Sequence, residues 1–439
     1  MAKIHLDHIS RVEGHGALTV TLAEDRIQDV KLNLFEGMRG FESVVLGRSY
    51  AEVPAIIERI CAICSAGHAV TAHMAVEKAM GIQVTQQTKL LRELAFMGMT
   101  IESHALHIFA LALPDFLGYA GITDMSVDHP ETVRLALEVK KTGNLVQEVV
   151  GGRAVHNVNM TIGGFGVLPS KEAVANLREK LSEALEAVDG VVDLLSGLSI
   201  PTYQGEPILF KAVKPAEGFG FFGDTVAFSD GTEFPVEAYK TSFHETRIEH
   251  SHAKQSTRGG EPFMVGALAR INLFGHLLTG KAAEVLRTLS IPVPSTNAIY
   301  NNLAQVVELV YALERASAIC DRLLTEGIQP EDPVGFEVRP GTGTVATEAP
   351  RGTLYHSFSL DEEGRVTAAD VITPTALNQA SAEKEIALVG KSHFSSGEDR
   401  LKELFEVTVR AYDPCISCSV HLIKADGSAK STLQKKVIG

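Results

Sequence analysis

Cysteine is scarce in this chain of 439 residues: there are five, Cys61, Cys64, Cys320, Cys415 and Cys418. So few in so long a chain exclude a disulfide framework. A reducing compartment with thiolate ligands suits the count better than an oxidising one. Positive charge is also short, with 40 Lys and Arg against 54 Asp and Glu and a formal net charge of −14. That balance argues against a nucleic-acid partner, whose binding rests on neutralised phosphates. No apolar run approaches the roughly 18 residues that span a bilayer. The polar start MAKIHLDHISRVEGH has no apolar signal core, so a cytoplasmic location is expected, although a folded partner could carry an export signal for both chains. Repeats, low-complexity linkers and heptad arrays are missing too. So is a dinucleotide fingerprint: GGFG (163–166) and GTGT (341–344) lack the strand–turn–helix setting. The nicotinamide site of any electron acceptor must lie on another chain.

What is present is a globular composition, 45% hydrophobic and 21% charged. Apolar residues recur at helical spacing over 53–80, with Gly81 as a stop, and over 90–111, 130–150, 171–198, 302–324 and 399–412. Ser170 reads as an N-cap, and Pro414 ends the last helix. Alternation over 18–37 and 352–374 predicts two β-hairpins, the second turning at Glu363-Gly364. Strands and turns are expected over 205–236. The fold class predicted is mainly α with α+β additions.

Four of the cysteines form two CxxC pairs, in ERICAICSAGH (58–68) and DPCISCSVH (413–421). A three-residue step on a helix puts both thiols on one face, and two such steps can converge four sulfurs on one metal. Spacing alone leaves a structural four-cysteine zinc site open, and also a redox disulfide, although one CxxC would suffice for that. The zinc reading is weakened by the apolar, helix-like setting of Cys61 and Cys64. His68 falls one turn beyond Cys64, placed to hydrogen-bond a thiolate or to serve as an ordinary core histidine.

Further motifs accompany the pairs: RVEGH (11–15), RGFE (39–42), ESHALHIFALALPD (102–115), GGRAVHNVNMTIGGFG (151–166), TEAPRG (347–352) and DVITPTALN (370–378). Together and in this order they resemble the large subunits of nickel–iron hydrogenases over nearly the whole chain. Where most such enzymes have RxCGxC, this chain has Ala62 in place of the glycine. That departure resembles the cytoplasmic, sulfhydrogenase-like, NADP-linked branch, group 3b. The resemblance implies long central helices with small peripheral β elements, in one domain over 1–421.

It also implies roles. Cys61 and Cys415 would be terminal ligands of nickel, and Cys64 and Cys418 would bridge nickel to an iron carrying CO and cyanide. Soft thiolates suit both metals. Dihydrogen would be split heterolytically, with Cys415 the first proton acceptor and Glu13 the relay; without its motif Glu13 would read as a solvated strand-end carboxylate. Arg351 would hang over the open side of the metals with Pro350 packed beside it, both around the diatomic ligands of iron. Asp115 and Asp413 would hold that arginine, and Asp413 also reads as a turn residue before Pro414. Glu42, a backbone carbonyl of Val371, and His421 would bind a second ion, magnesium or iron.

The resemblance further implies cleavage after His421. Residues 422–439, with four lysines and one aspartate, would be a maturation tail removed once nickel is inserted, by a maturation protease working with nickel chaperones. Beyond the four only Cys320 remains, too few for an iron–sulfur cluster, which normally takes four. A small subunit must carry the clusters, with flavin and iron–sulfur diaphorase subunits passing electrons to NAD(P). Deazaflavin or a heterodisulfide-linked complex is the alternative acceptor. The related complex I subunit lacks the cysteine set, and a zinc-stabilised binding protein is the rival from another class. His104 and His107 are expected in the core or behind the site, residues 244–255 as an exposed loop, and Cys320 as a buried free thiol.

Overall fold

Strands β1 (Ala2–Leu6), β2 (Gly16–Ala23) and β3 (Arg26–Leu34) form an antiparallel sheet in that order. This is the hairpin expected from alternation, extended by one strand. The computed structural model describes residues 2–420 apart from Glu24, Asp25, Met38, Gln204, Gly205 and Pro207. The segment 422–439, and with it the maturation-tail reading, lies outside the described residues, as does His421.

The long helices that follow are α1 (Ser65–Met80), α2 (Gln86–Ala105), α3 (Pro130–Gly151) and α4 (Lys171–Ala187), with shorter helical turns between them. Thr85 caps α2 by accepting from the Thr88 N–H at 3.0 Å, and Ser170 caps α4 through the Ala173 N–H at 3.1 Å. Gly81 closes α1 in the left-handed conformation, φ 72°. Helix α2 runs on through a π-helical turn, Leu106–Ala112, into Leu113–Leu117. By length and composition that run, Gln86–Leu117, could cross a membrane, yet 83% of its most apolar stretch is buried inside the protein. It is a core helix, packed lengthwise against α3.

A six-stranded sheet comes next, built from β4 (Leu209–Lys214), β5 (Thr225–Phe228), β6 (Glu233–Pro235), β7 (His244–Arg247), β8 (Lys254–Arg258) and β9 (Glu261–Met264) in the order β6-β5-β4-β9-β8-β7. Only β9 and β4 pair parallel. Residues 244–255 are therefore largely a hairpin, not an exposed loop: the polar residues alternate because one face of this edge is solvated. Helices α5 (Ala267–Phe274) and α6 (Asn301–Glu326) lead to a three-stranded antiparallel sheet, β10 (Gly341–Ala349), β11 (Gly352–Leu360) and β12 (Val366–Ile372). Helices α7 (Pro374–Ser392) and α8 (Glu398–Ala411) complete the fold. One hydrophobic cluster runs from Ile4 to Val420 and joins helices and sheets.

Two expected helices are interrupted. Residues 171–198 break at Val188. Residues 53–80 do not form one helix either: a short turn, Val53–Ile57, and a 3-10 turn, Glu58–Ile60, end at an extended Cys61, and α1 starts only after Cys64. Strand β10 lies directly on α1. A Cβ at Gly343 would sit 2.0 Å from the Ala75 carbonyl oxygen, so only glycine permits this approach. Gly343→Ala is expected to destabilise the subunit by about 1–3 kcal/mol, seen as a lower thermal midpoint; an unchanged midpoint would mean the two elements are not so tightly apposed.

Lys211 on β4 is wholly buried. Its ammonium lies 4.5, 5.1 and 5.8 Å from the ring centres of Tyr355, Phe243 and Phe263. It has no hydrogen-bond partner among the described residues. Burial pushes its pKa down to about 7, with the Glu348 charge acting the other way. Between about 7 and the ordinary lysine value of 10.5 the unfolded chain binds a proton that the folded chain refuses. Stability therefore rises with pH across that window, and the penalty is complete below it. Lys211→Met is expected to stabilise the protein at pH 7 by on the order of a few kcal/mol and to flatten the rise; denaturation midpoints at pH 7 and 10 measure both.

Candidate metal centre

Burial and backbone geometry bring the two CxxC pairs together. Cys61 is extended (φ −146°, ψ 145°), and Cys64 stands at the N-cap of α1. The break frees carbonyls that a continuous helix would have used. Arg39 takes them: its Nη1 donates to Arg59 O at 3.2 Å and its Nη2 to Ile60 O at 2.5 Å. The same Nη2 reaches Ser417 O at 2.8 Å, so one guanidinium ties both cysteine turns. The Cys415 N–H is held by Thr375 Oγ1 at 2.9 Å.

The four sulfurs all lie within 4.8 Å of one another, and all four residues are buried. Cys61 pairs with Cys415 and Cys64 with Cys418, each at 3.3 Å, and Cys415 approaches Cys418 at 2.9 Å. These separations are far beyond the roughly 2.05 Å of a disulfide. All four sulfurs lie within 4.8 Å of one another, close enough to share one ion or a compact pair of ions, since two sulfurs each about 2.3 Å from one ion stand no more than about 4.6 Å apart. Hydrogen bonds from Cys415, Cys418 and Cys61 pull Cys64 well below the usual thiol range, while burial pushes Cys415 and Cys418 well above it. His68 Nε2 lies 3.8 Å from Cys418 Sγ, so its sulfur partner is the distant cysteine and not the neighbouring Cys64. Its Nδ1 faces His356 Nε2 at 3.1 Å, and the two rings stack at 5.2 Å.

Arg351 and Pro350, at the β10–β11 turn, line a cavity of about 10 Å³ with Cys64, His68, Cys415 and Cys418. That is near the least volume that takes one water-sized molecule. Arg351 is buried; its Nε donates to Asp413 O at 2.9 Å and its Nη2 reaches Asp413 Oδ1 at 3.1 Å. Burial opposes its charge, yet Asp413 and the cysteines hold the guanidinium well above its ordinary value. Its Nη1 is buried with no partner among the described residues, so one buried donor is spare. Asp413 itself has φ 48°, an uncommon conformation for a non-glycine residue.

Glu13 stands across the turn from Cys415. The two backbones form an isolated parallel bridge, and the Ile416 N–H donates to Glu13 O at 3.0 Å. The Glu13 carboxylate accepts from the Ser417 N–H at 3.1 Å and from the Ser417 hydroxyl. Gly14 must follow it, because φ is 87° and a Cβ there would meet Ile416 Cβ at 2.7 Å. The spacing of RVEGH is thus dictated by contact with the second cysteine turn.

A family model described as Nickel-dependent hydrogenase matches residues 39–139 and 226–421. The chain belongs to the nickel-dependent hydrogenases. It is 42% identical over 423 residues to sulfhydrogenase 1 subunit alpha of Pyrococcus furiosus, covering 96% of this chain and 98% of that one. It is 38% identical over 423 residues to sulfhydrogenase 2 subunit alpha of the same organism, at 96% and 99% coverage. The fold matches a crystal structure of an NAD+-reducing NiFe-hydrogenase in the H2-reduced state with a TM-score of 0.85, at 25% identity, covering 96% of this chain and 100% of that one. The hydrogenase large-subunit fold expected from the sequence is the fold observed. The chain is the catalytic subunit of a hydrogenase, which cleaves dihydrogen at a nickel–iron site and passes electrons to partner subunits.

Within this hydrogenase subunit one sequence expectation changes. Asp115 does not hold Arg351. It accepts from Arg410 Nε at 2.7 Å and Nη2 at 2.9 Å, and it pairs with Arg11. Three arginines share two aspartates, and Asp413 alone reaches Arg351 among the described residues. Glu42 is buried, and its Oε1 accepts from the Val371 N–H at 2.8 Å. Burial pushes its carboxyl up to about 7, against the pull of that N–H. Thr375, Ser417, His356 and Gln305 escaped the sequence reading. Only their adjacency to motifs, for Thr375 and Ser417, could have marked them. Cys320 is buried, and burial pushes its thiol up to about 12, as an inert core thiol requires.

Cys61→Ser and Cys418→Ser are each expected to remove nickel from the purified protein, whereas Cys320→Ser leaves it. Metal analysis of the three variants checks this, and one tightly bound zinc without nickel in the parent would sink the hydrogenase site.

Proposed function

We propose that the chain is the large subunit of an NAD(P)-linked, cytoplasmic hydrogenase of the sulfhydrogenase-like branch. The observation that carries the reading is the convergence of four buried thiols from two distant CxxC turns beneath one arginine with a spare donor. The likeness to two sulfhydrogenase alpha subunits and to the fold of an NAD+-reducing enzyme supports the branch. When bound, the nickel–iron centre, with CO and cyanide on iron, supplies the metals that polarise dihydrogen and take up its two electrons.

The chain's own residues do the rest. Cys61 and Cys415 would hold nickel as terminal thiolates, and Cys64 and Cys418 would serve both nickel and iron. Cys415 takes the proton at its sulfur. Glu13, bridged to its backbone, receives it, and Ser417 keeps that carboxylate facing the turn. Arg351 offers Nη1 to the cyanide, with Pro350 closing the same wall. His68 steadies the Cys418 sulfur. Asp413 orients Arg351, and Asp115 acts more remotely by anchoring Arg410 and Arg11. Glu42, the Val371 carbonyl and His421 hold magnesium or iron; the buried, raised carboxyl of Glu42 is what a divalent cation would discharge.

Electrons leave through a small subunit carrying iron–sulfur clusters, then through flavin and iron–sulfur diaphorase subunits to NAD(P). Residues 422–439 are the maturation tail, removed by a protease after chaperones deliver nickel. In the assembled enzyme, Glu13→Gln is expected to lower dihydrogen oxidation by about 10²–10⁴-fold with nickel content unchanged. The parent complex should show metal-bound CO and cyanide bands in the infrared, end at His421 by intact mass, and reduce NADP+ or NAD+ with dihydrogen. Reduction of deazaflavin alone would overturn the branch, and activity with residue 439 still attached would overturn the tail.

A further inference from the structure

Helix α6 presents a polar stripe to the interior through Asn301, Gln305 and Glu308, all buried. Their spacing of four and three places them on one face. Facing them are His104 on α2 and His107 in the π-helical turn, again three apart. The result is two rungs. In the first, His104 Nε2 meets Glu308 Oε2 at 2.9 Å. Glu308 takes Arg270 Nε and Nη2, both at 2.5 Å. In the second, His107 Nδ1 meets Gln305 Oε1 at 2.5 Å, and Gln305 Nε2 donates to Asp413 Oδ2 at 3.0 Å.

Both rungs end beside Arg351, one on the backbone that leads into it and the other on Asp413, its ion-pair partner. Arg270, fully buried on α5, also donates from Nη1 to Glu348 Oε2 at 2.8 Å and to Ala349 O at 3.1 Å, and from Nη2 to Pro350 O at 3.1 Å. All five of its N–H donors are used, and two of them grip the carbonyls of the two residues just before Arg351. Gln305 fixes the carboxylate that takes the Arg351 side chain. His107 Nε2 and Asn301 Nδ2 hold the Arg410 and Ala411 carbonyls, each at 2.8 Å, on the approach to Asp413. One helix face therefore sets the backbone of Arg351 from one side and its counter-charge from the other.

We propose that Arg270 and Gln305 are positioning residues that set the Arg351 guanidinium over the thiolate cluster. This rests on the hydrogenase reading above, in which Arg351 donates to a cyanide on iron. Neither residue is needed to hold a metal. Each removes a degree of freedom from the one cation in the cavity wall, and misplacement by about 1 Å of a group that acts on the reacting centre can lower turnover about 10²-fold.

The test uses the assembled, nickel-loaded enzyme. Gln305→Met keeps the volume and removes the donor to Asp413. Arg270→Lys keeps the charge and gives up the fork. Both variants are expected to lower kcat by about 10- to 100-fold and to shift the infrared bands of the metal-bound diatomics, with nickel content as in the parent and a somewhat lower thermal midpoint, because each leaves buried polar groups unpaired. If Arg270→Lys fails to fold, Gln305→Met decides alone. Parent-like bands and kcat in a fully loaded Gln305→Met overturn the proposal. So does loss of nickel together with a lower midpoint, which would make the stripe a scaffold only. A parent enzyme with no such bands would instead overturn the assignment of diatomic ligands, and it is recorded before any variant is compared.

Discussion

The fold depends on gathering four thiols out of water into one volume, two from each end of the chain. Cys61 and Cys415 are 354 positions apart. Closing a loop of that length costs about 5 kcal/mol in chain entropy beyond a constant. No disulfide or tight turn meets that cost. It is offset by the elements that flank the two cysteine turns. The first sheet delivers Glu13 against Cys415, α1 packs on β10, and Arg39 joins Ile60 and Ser417 through carbonyls that both turns leave free. Breaks in regular structure are what make the joining possible, since a continuous helix through Cys61 would have no carbonyl to offer.

Charge is the second constraint. A buried cluster of thiolates needs a compensating cation, and a buried guanidinium needs its own partners. Arg351 answers the first need, and Asp413 answers its own. The same pattern repeats one layer deeper. Arg270 lies between Glu308 and Glu348, and although burial works against its charge, Arg270 holds the Glu308 carboxyl below its usual range. Such networks become rigid only when every member is satisfied. This one is nearly so, which suits a wall that must keep one arginine still.

Much of this was legible in the sequence. The 3.6-residue periodicity marked the long helices, and Ser170 and Gly81 marked their ends, because capping is local chemistry. The CxxC pairs and their accompanying motifs identified the cysteines as a single centre. Other expectations failed for physical reasons. The apolar stretch over 58–64, between two helical segments, looked helical because burial, not helix formation, dictates apolarity there. Residues 244–255 looked like a loop because an edge hairpin with one solvated face is polar on that side. Asp115 looked like a partner of Arg351, but charge alone does not say which of three arginines an aspartate meets.

The sequence by itself determined the four cysteines of one centre and, through the order of the motifs, the hydrogenase family, since both are written in the chain. Only the tertiary structure decided which sulfur neighbours which, which aspartate reaches Arg351, and that His68 serves Cys418. Only it could show that Gln305 and Arg270, from parts of the chain without a motif, converge on the same arginine. Long-range side-chain pairing depends on how helices and sheets cross, and a displacement of about 1 Å, which no local pattern encodes, separates a hydrogen bond from none.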